Sequence, residues 1–362
     1  MLTSGRSTQK AYEPPTTLPP VERVRLALVG CGYWGPKVLR AAASRPDVEV
    51  TALVDRDLGR AQAQQRHFPA ARVAPAQEDI FDAVDAVVVA TEPASHLELA
   101  QQALAAGKHT LVEKPLALTA RDCRALGKQA RAAGLILMAG HTFRFSPAVE
   151  HVRGLLEREE LGRLYYIDSQ RLNLGRVRRD VDAIWNFAPH DISIINHWLG
   201  GPPSAVRCHG YDYLQEGVDD VGFLILEYDQ SAVAHVHVSW LSPNKVRRMT
   251  VVGSKKMVVY DDVANEKIVL YDAGIDRQHI ERTFPEFESF GEFQLIHRLG
   301  DLHIPRLPSV EPLVAEARHF VDCIKSGAEP ITGTEEAAAV VATLEAASAS
   351  RARDGERAPV EL

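Results

Sequence analysis

The chain has 362 residues, 46% of them hydrophobic and 25% charged, with a net charge of −7. That length exceeds one ordinary core and predicts two domains, while the acidic balance excludes nucleic acid and an anionic membrane surface as natural partners. Cys31, Cys123, Cys208 and Cys323 stand far apart with no CxxC pair, which excludes a disulfide framework and argues against a metal site of that type.

Met1–Pro20 is rich in Pro, Thr and Ser and lacks the apolar segment of a signal peptide. It is expected to be a disordered tail on a cytoplasmic protein. No stretch reaches the roughly 18 unbroken apolar residues of a membrane span.

Val24–Val29 is a mostly apolar run that leads straight into Gly30-Cys31-Gly32-Tyr33-Trp34-Gly35 and then Pro36. The run predicts a parallel strand buried on both faces. The glycines permit a tight turn, close approach of a pyrophosphate to the backbone, and close helix–strand packing. Pro36 suits a first helical turn, whose N-terminal N–H groups would point at phosphate. Val48–Val54 is the next strand, and Asp55 closes it 20 residues past Gly35, where a ribose hydroxyl needs an acceptor. Strand, glycine turn, helix and distal acid together predict a dinucleotide-binding domain. Asp55 favours NAD; Arg56 beside it keeps NADP as the alternative.

A helix over Leu58–Gln65 and a short strand at Arg72–Ala74 follow, then a strand at Ala86–Ala90 that ends in Thr91-Glu92-Pro93. The loop after such a strand faces the cofactor crevice, so Thr91, Pro93 and His96 are expected to line it. For His96 the alternative is a helix-start histidine with no ligand role. A helix over His96–Ala106 stops at Gly107, and Thr110–Val112 forms a strand leading into Glu113-Lys114-Pro115. Thr119–Ala133 is helical and Leu135–Ala139 is a further strand.

From His141 the rhythm changes. Pro147–Glu159 is helical, and Val221–Glu227, Ala232–Trp240, Arg248–Val252 and Lys256–Tyr260 alternate apolar and polar residues, as in a one-sided antiparallel sheet. Tyr228-Asp229-Gln230-Ser231 is a connecting turn, and Glu311–Ile324 and Thr334–Ser350 return to helix.

The segments GCGYWG, VVVATEPASH, GKHTLVEKPLALT, GHTFRFSPAV and PHDISIINHWLG, in this order and spacing, resemble the Gfo/Idh/MocA oxidoreductase family. The resemblance runs from Val24 to Ser350, and the EKP tripeptide followed by a distant His-Asp is its most specific part. It implies an α/β architecture. A Rossmann doubly wound parallel sheet would occupy residues 22–140, behind a tail of 1–21. An α+β domain with an open, largely antiparallel sheet would occupy 141–330, and a C-terminal helix and tail 331–362. It further implies hydride transfer between NAD or NADP and a hydroxyl-bearing carbon of a sugar, nucleotide-sugar or cyclitol, in a homodimer or homotetramer packed through the open sheets.

Lys114, just beyond a parallel strand, sits where burial lowers a lysine's pKa, so it can polarise a carbonyl or take a hydroxyl proton. The resemblance implies that it is catalytic or orients substrate; Glu113 beside it is placed with the cofactor. His190, read as opening a helix over Ile192–Leu199 after Pro189, matches the family's catalytic histidine. Four residues earlier the family has an aspartate; here the residue is Asn186. That exchange removes the carboxylate that would hold the imidazole's tautomer, and leaves Lys114 or His190 as the base, with Asn186 orienting the ring or the substrate. Asp191 is read as an N-cap or a supporting acceptor.

Arg144 is either a ligand contact or a buried ion-pair member. Arg171, Arg176, Arg178 and Arg179 precede the Asn186–His190 segment, and Arg176 and Arg178 are candidates for gripping an anionic group; a solvated face is the alternative. His235 and His237 share one strand face, but without convincing further ligands no metal is assigned. Two rivals remain: a regulator that binds dinucleotide or sugar without turnover, and an enzyme that recycles the hydride internally while eliminating or hydrolysing a sugar substituent.

Overall fold

The computed structural model describes residues 23–175, 177–228, 232–279 and 293–362. The expected tail, Arg176 and most of the Tyr228–Ser231 turn lie outside these residues.

The first unit alternates strand and helix: β1 (Val24–Val29), α1 (Gly35–Ala43), β2 (Val48–Val54), α2 (Leu58–Gln65), β3 (Arg72–Ala74), β4 (Ala86–Val89), α3 (Pro93–Ala105), β5 (His109–Glu113), α4 (Ala120–Ala132) and β6 (Leu137–Gly140). All adjacent strands pair in parallel, in the order β3-β2-β1-β4-β5-β6. Strand order reverses between β1 and β4, which opens a crevice at their carboxyl ends. Helix α3 begins at Pro93, three residues before the expected start, because a proline at the first helical position supplies its fixed φ and lacks an N–H that would have no partner there.

The second unit contains α5 (Pro147–Glu157), β7 (Leu164–Leu174), α6 (Ala183–Leu199), β8 (Ala205–Tyr211), β9 (Val221–Glu227), β10 (Val233–Ser239), β11 (Leu241–Gly253), β12 (Met257–Asp261), β13 (Ile268–His279) and β14 (Phe293–His303). The chain ends with α7 (Pro312–Ser326), α8 (Thr334–Arg351) and β15 (Ala358–Pro359). Nine strands lie in the order β14-β13-β12-β11-β7-β10-β9-β8-β15. The sheet is mixed: β7 and β10 pair in parallel, and every other pairing is antiparallel. One face is core, with Ala234, Val236 and Val238 of β10 buried beside Ile184, Ile192 and Ile195 of α6. The opposite face carries His235 and His237, as period-two alternation requires.

Helix α6 corrects the sequence reading. It starts at Ala183, with the Asp182 carboxylate accepting from Trp185 N at 2.7 Å, and runs through Pro189 to Gly200, which takes the left-handed φ of 80°. His190 therefore lies mid-helix. A proline inside a helix forfeits one backbone bond and costs about 3 kcal/mol; here the cap and the buried side chains of Ala183, Ile184, Ala188, Ile192 and Ile195 offset that loss.

The last two helices join the units. Leu313, Ala317, Phe320 and Ile324 of α7 pack with Val38, Leu39 and Ala42 of α1. In α8, Ala337, Ala338 and Val341 enter the core of the parallel sheet while Val340, Leu344 and Ala347 enter that of the mixed sheet. Among the described residues no helix is long and apolar enough to cross a membrane.

Candidate active site

Backbone geometry builds the glycine loop. Gly30 has φ +98°, and a Cβ there would lie 2.5 Å from the Ala90 carbonyl oxygen. A Cβ on Gly35 would lie 2.0 Å from Gly30 O, so both positions admit only glycine. Gly32 differs: a Cβ would meet nothing within 4 Å, so the protein itself does not require glycine there. The open space is what close approach of a pyrophosphate needs, and no side chain caps the N-terminus of α1 behind it. At the end of β2, Asp55 accepts from Cys31 N at 2.8 Å and from Asp57 N at 2.9 Å, which fixes its carboxylate against the loop. Arg56 beside it is exposed. Each anchored oxygen keeps a lone pair for a ribose hydroxyl. These residues fit NAD.

Tyr33 and Trp34 flank the entrance, with the Lys37 ammonium 3.6 Å from the centre of the Tyr33 ring. The Trp34 indole donates to a carboxylate oxygen of Glu113 and so ties the loop to the end of β5. Across the crevice, the Thr91 hydroxyl bonds Ser95 at 2.7 Å, and Pro93 is buried at the start of α3. His96 lies in the first turn of α3. It is 1% exposed, with Nδ1 2.7 Å from Pro115 O and Nε2 3.3 Å from Thr91 O. Burial holds its pKa below the usual histidine value, and the shorter contact assigns the proton to Nδ1. His96 therefore donates to the Pro115 carbonyl, while its unprotonated Nε2 lies 3.3 Å from the Thr91 oxygen without a hydrogen bond.

Lys114 follows a strand buried along its whole length, and its ammonium donates to the Asn186 carbonyl oxygen at 2.8 Å, with Asn186 Oδ1 at 3.4 Å. Burial pushes its pKa down to about 8; Glu113 opposes that shift, while Arg178 and Arg171 add to it. Asn186 and His190 are one helical turn apart on α6, so they share a face. The His190 ring meets Phe143 edge-on at 5.0 Å, and its Nδ1 is buried with no hydrogen-bond partner. Burial, followed by the charges of Lys114 and Arg171, holds its pKa well below the usual value, so the imidazole is neutral at neutral pH.

Of the two readings of Asp191, N-cap or supporting acceptor, the structure shows the second. Asp191 is buried mid-helix and takes Arg171 through contacts of 2.7, 3.0 and 3.1 Å. Arg171 also lies over the Phe143 ring at 4.7 Å, so this pair supports the ring against which His190 packs. Arg144 is 6% exposed and faces Glu150 at 3.4 Å. Arg178 pairs with Asp180 in the loop before α6, and its backbone carbonyl accepts from Gln215 at 2.9 Å. Its charge is among those that hold the Lys114 pKa down. His235 bonds Asp168 at 2.7 Å and His237 stacks on Phe223 at 4.5 Å. Among the described residues no group of three or more His, Cys, Asp or Glu side chains is placed to hold a metal ion.

Phe143, the Arg171–Asp191 pair and Glu316 are additions to the sequence reading. Glu316 had a legible signal, because it interrupts the apolar face Leu313, Ala317, Phe320 of α7. Phe143 had none.

Residues 24–141 match the model of an oxidoreductase family with an NAD-binding Rossmann fold, Gfo/Idh/MocA, and residues 149–259 match the C-terminal domain of the same family. The chain belongs to the Gfo/Idh/MocA oxidoreductases, and its first unit is an NAD-binding domain. The chain is 23% identical over 325 residues to the NAD-dependent scyllo-inositol 2-dehydrogenase of Bacillus subtilis, covering 85% of this chain and 88% of that enzyme. It is 27% identical over 227 residues to an uncharacterised oxidoreductase of Streptococcus pneumoniae, covering 58% of this chain and 61% of the relative's length. The solved structure of GenD2 from gentamicin A biosynthesis, in complex with NAD, superposes with a TM-score of 0.79 at 26% identity, covering 96% of this chain and 99% of that one.

Proposed function

We propose that this protein is an NAD-dependent oxidoreductase that interconverts a hydroxyl-bearing carbon and its carbonyl on a sugar, nucleotide-sugar or cyclitol. The observation that carries the reading is the half-buried Lys114 ammonium, held 2.8 Å from the backbone of Asn186 one helical turn before a neutral His190. Bound NAD supplies the hydride acceptor. In the oxidative direction, neutral His190 or deprotonated Lys114 takes the hydroxyl proton, and the remaining lysine donors polarise the oxygen. The Asn186 amide orients the substrate hydroxyl or Lys114, but cannot serve as the carboxylate partner of His190 Nδ1. An anionic substituent would be met by Arg178, whose guanidinium also pairs with Asp180, and Arg176 belongs to the same loop by sequence. The scyllo-inositol 2-dehydrogenase relative supports this substrate class.

The experiment is a screen of sugars, nucleotide-sugars and cyclitols followed by NADH absorbance, with Lys114→Met in parallel. Turnover abolished in the variant while NADH still binds supports the reading. Substrate conversion without net NADH supports internal hydride recycling, and cofactor binding with no conversion supports a sensor.

The same reading includes a homo-oligomer joined through the open sheet face. There the register brings Gln170, His237 and Phe223 side by side, and Tyr166, Tyr211 and Phe223 are exposed. A dimer or tetramer mass by light scattering, reduced by Phe223→Arg, is the expected result. A cytoplasmic location accords with four buried free thiols.

A further inference from the structure

The Trp34 indole N–H donates to the Glu113 carboxylate, and this hydrogen bond joins two turns that are not neighbours in the sheet. Trp34 closes the glycine loop after β1 and Glu113 ends β5, while β4 lies between those two strands. Two strand spacings make about 9.5 Å, a gap that two long side chains reaching toward each other can span. The bridge therefore crosses the carboxyl end of β4, where the crevice opens.

Both ends of the bridge are held. The Trp34 carbonyl accepts from Lys37 N at 2.8 Å and so starts α1, a helix that no side chain caps. Gly140 seats Glu113 from the far side: a Cβ there would lie 3.1 Å from the Glu113 carboxyl carbon. Glu113 is 7% exposed and Trp34 is 37% exposed, so the indole is the end that can be altered without opening the core. Past Glu113 the chain continues directly into Lys114, whose ammonium donates to the Asn186 carbonyl oxygen at 2.8 Å. An unbroken series of bonds thus runs from the start of α1 through Trp34, Glu113 and Lys114 to α6.

We propose that Trp34 is a positioning residue for Lys114: by holding the Glu113 carboxylate, its indole fixes the turn that carries the lysine and joins that turn to the glycine loop that receives the cofactor. The inference rests on the reading of Lys114 above and is independent of the substrate. Electrostatics agree with the geometry. Burial disfavours the Glu113 anion, the indole N–H favours it, and the anion in turn favours the Lys114 ammonium. The other charged groups facing the pair are Arg171 from β7, Arg178 and Asp180 from the loop before α6, and Glu316 from α7. Burial holds His96 of α3, His141 after β6 and His190 of α6 below the usual histidine value, so they add no charge above neutral pH.

The test has two readouts on the full chain: competitive acetylation of lysines by acetic anhydride across neutral to alkaline pH, read by peptide mass spectrometry without cofactor, and calorimetric titration with NADH alone. Lys114 is half-buried and in wild type is expected to reach half of its labelling rate at about pH 8. Trp34→Phe keeps an aromatic ring but removes the donor, so Glu113 loses the bond that favours its anion and the Lys114 midpoint is expected to fall below that of wild type. A hydrogen bond to a charged group is strong enough that the same variant is expected to bind NADH about tenfold more weakly. Glu113→Gln keeps an oxygen to accept the indole N–H and removes the charge, so it is expected to lower the midpoint yet bind NADH within about twofold of wild type. Glu113→Leu removes acceptor and charge together and is expected to match Trp34→Phe in both readouts. The Trp34→Phe/Glu113→Leu double variant is expected to bind no more weakly than either single one, because two groups that act through one bond lose it only once. A purely structural Trp34 would weaken NADH binding and leave the lysine midpoint in place. Should Trp34→Phe not fold, the difference in affinity between Glu113→Leu and Glu113→Gln carries the test. Three results overturn the proposal: an unmoved Lys114 midpoint in Trp34→Phe, wild-type NADH affinity in that variant, or losses in Trp34→Phe and Glu113→Leu that add in full. Because no sugar is present, a failed substrate screen leaves this result standing.

Discussion

Replacing Asp191 with alanine strands a cation in the core. Arg171 and Asp191 side chains are 7% and 2% exposed, and three nitrogen–oxygen contacts of 2.7–3.1 Å join them. With the carboxylate gone, the guanidinium keeps the Phe143 face at 4.7 Å and the longer-range charge of Asp262. Neither replaces a bidentate partner. Breaking a buried pair by removing one member costs about 3–5 kcal/mol, or about two to four powers of ten in the folding equilibrium. The Arg171→Met/Asp191→Leu double variant removes both charges, and a well-packed apolar pair of similar volume is neutral or better. Urea unfolding followed by circular dichroism reads both, with an unchanged dependence on denaturant confirming that the folded state is the same. A loss under about 1 kcal/mol in Asp191→Ala, or a double variant as unstable as the single one, refutes the assignment of this pair as a dry ion pair.

Lys114→Met is expected to lower kcat/KM about 10²- to 10⁴-fold, the range of general acid–base catalysis, with NADH affinity retained; a loss under tenfold in stopped-flow turnover removes Lys114 from the proton transfer. Its pKa is pushed down to about 8, so wild-type oxidation is expected to rise as pH passes that value, and Lys114→Met to lack that limb. Gly35→Ala would place a methyl 2.0 Å from Gly30 O, so calorimetry is expected to show no NAD binding. Burial raises the pKa of Glu316 and of Glu113 above the unfolded carboxylate value. The folded state then binds more protons than the unfolded one, so these groups make stability fall as pH rises from about 4.5 to about 7. Urea midpoints across that window are expected to fall more steeply in wild type than in Glu316→Gln.

Most of the first unit was legible from local pattern. Residues Val24–Val29, Val48–Val54 and Leu58–Gln65 form the expected strands and helix at the expected bounds. Apolar runs and glycines fix such elements through short-range sterics, and the resemblance supplied the site that they surround. The second unit was legible in its alternating strands, but their order was not. Pairing β7 in parallel with β10, 67 residues apart at every register position, depends on contacts that no local pattern encodes.

The site divides in the same way. Sequence by itself set the turn after β1, because Gly30 and Gly35 admit no side chain, and Asp55 at the end of β2; the resemblance marked the Lys114 turn. Tertiary structure alone decided that His96 is buried, that Asp191 serves Arg171, that α6 runs through Pro189, and that Glu316 from α7 accepts from Thr142. Each of these is settled by burial, and burial depends on which distant segment covers a residue.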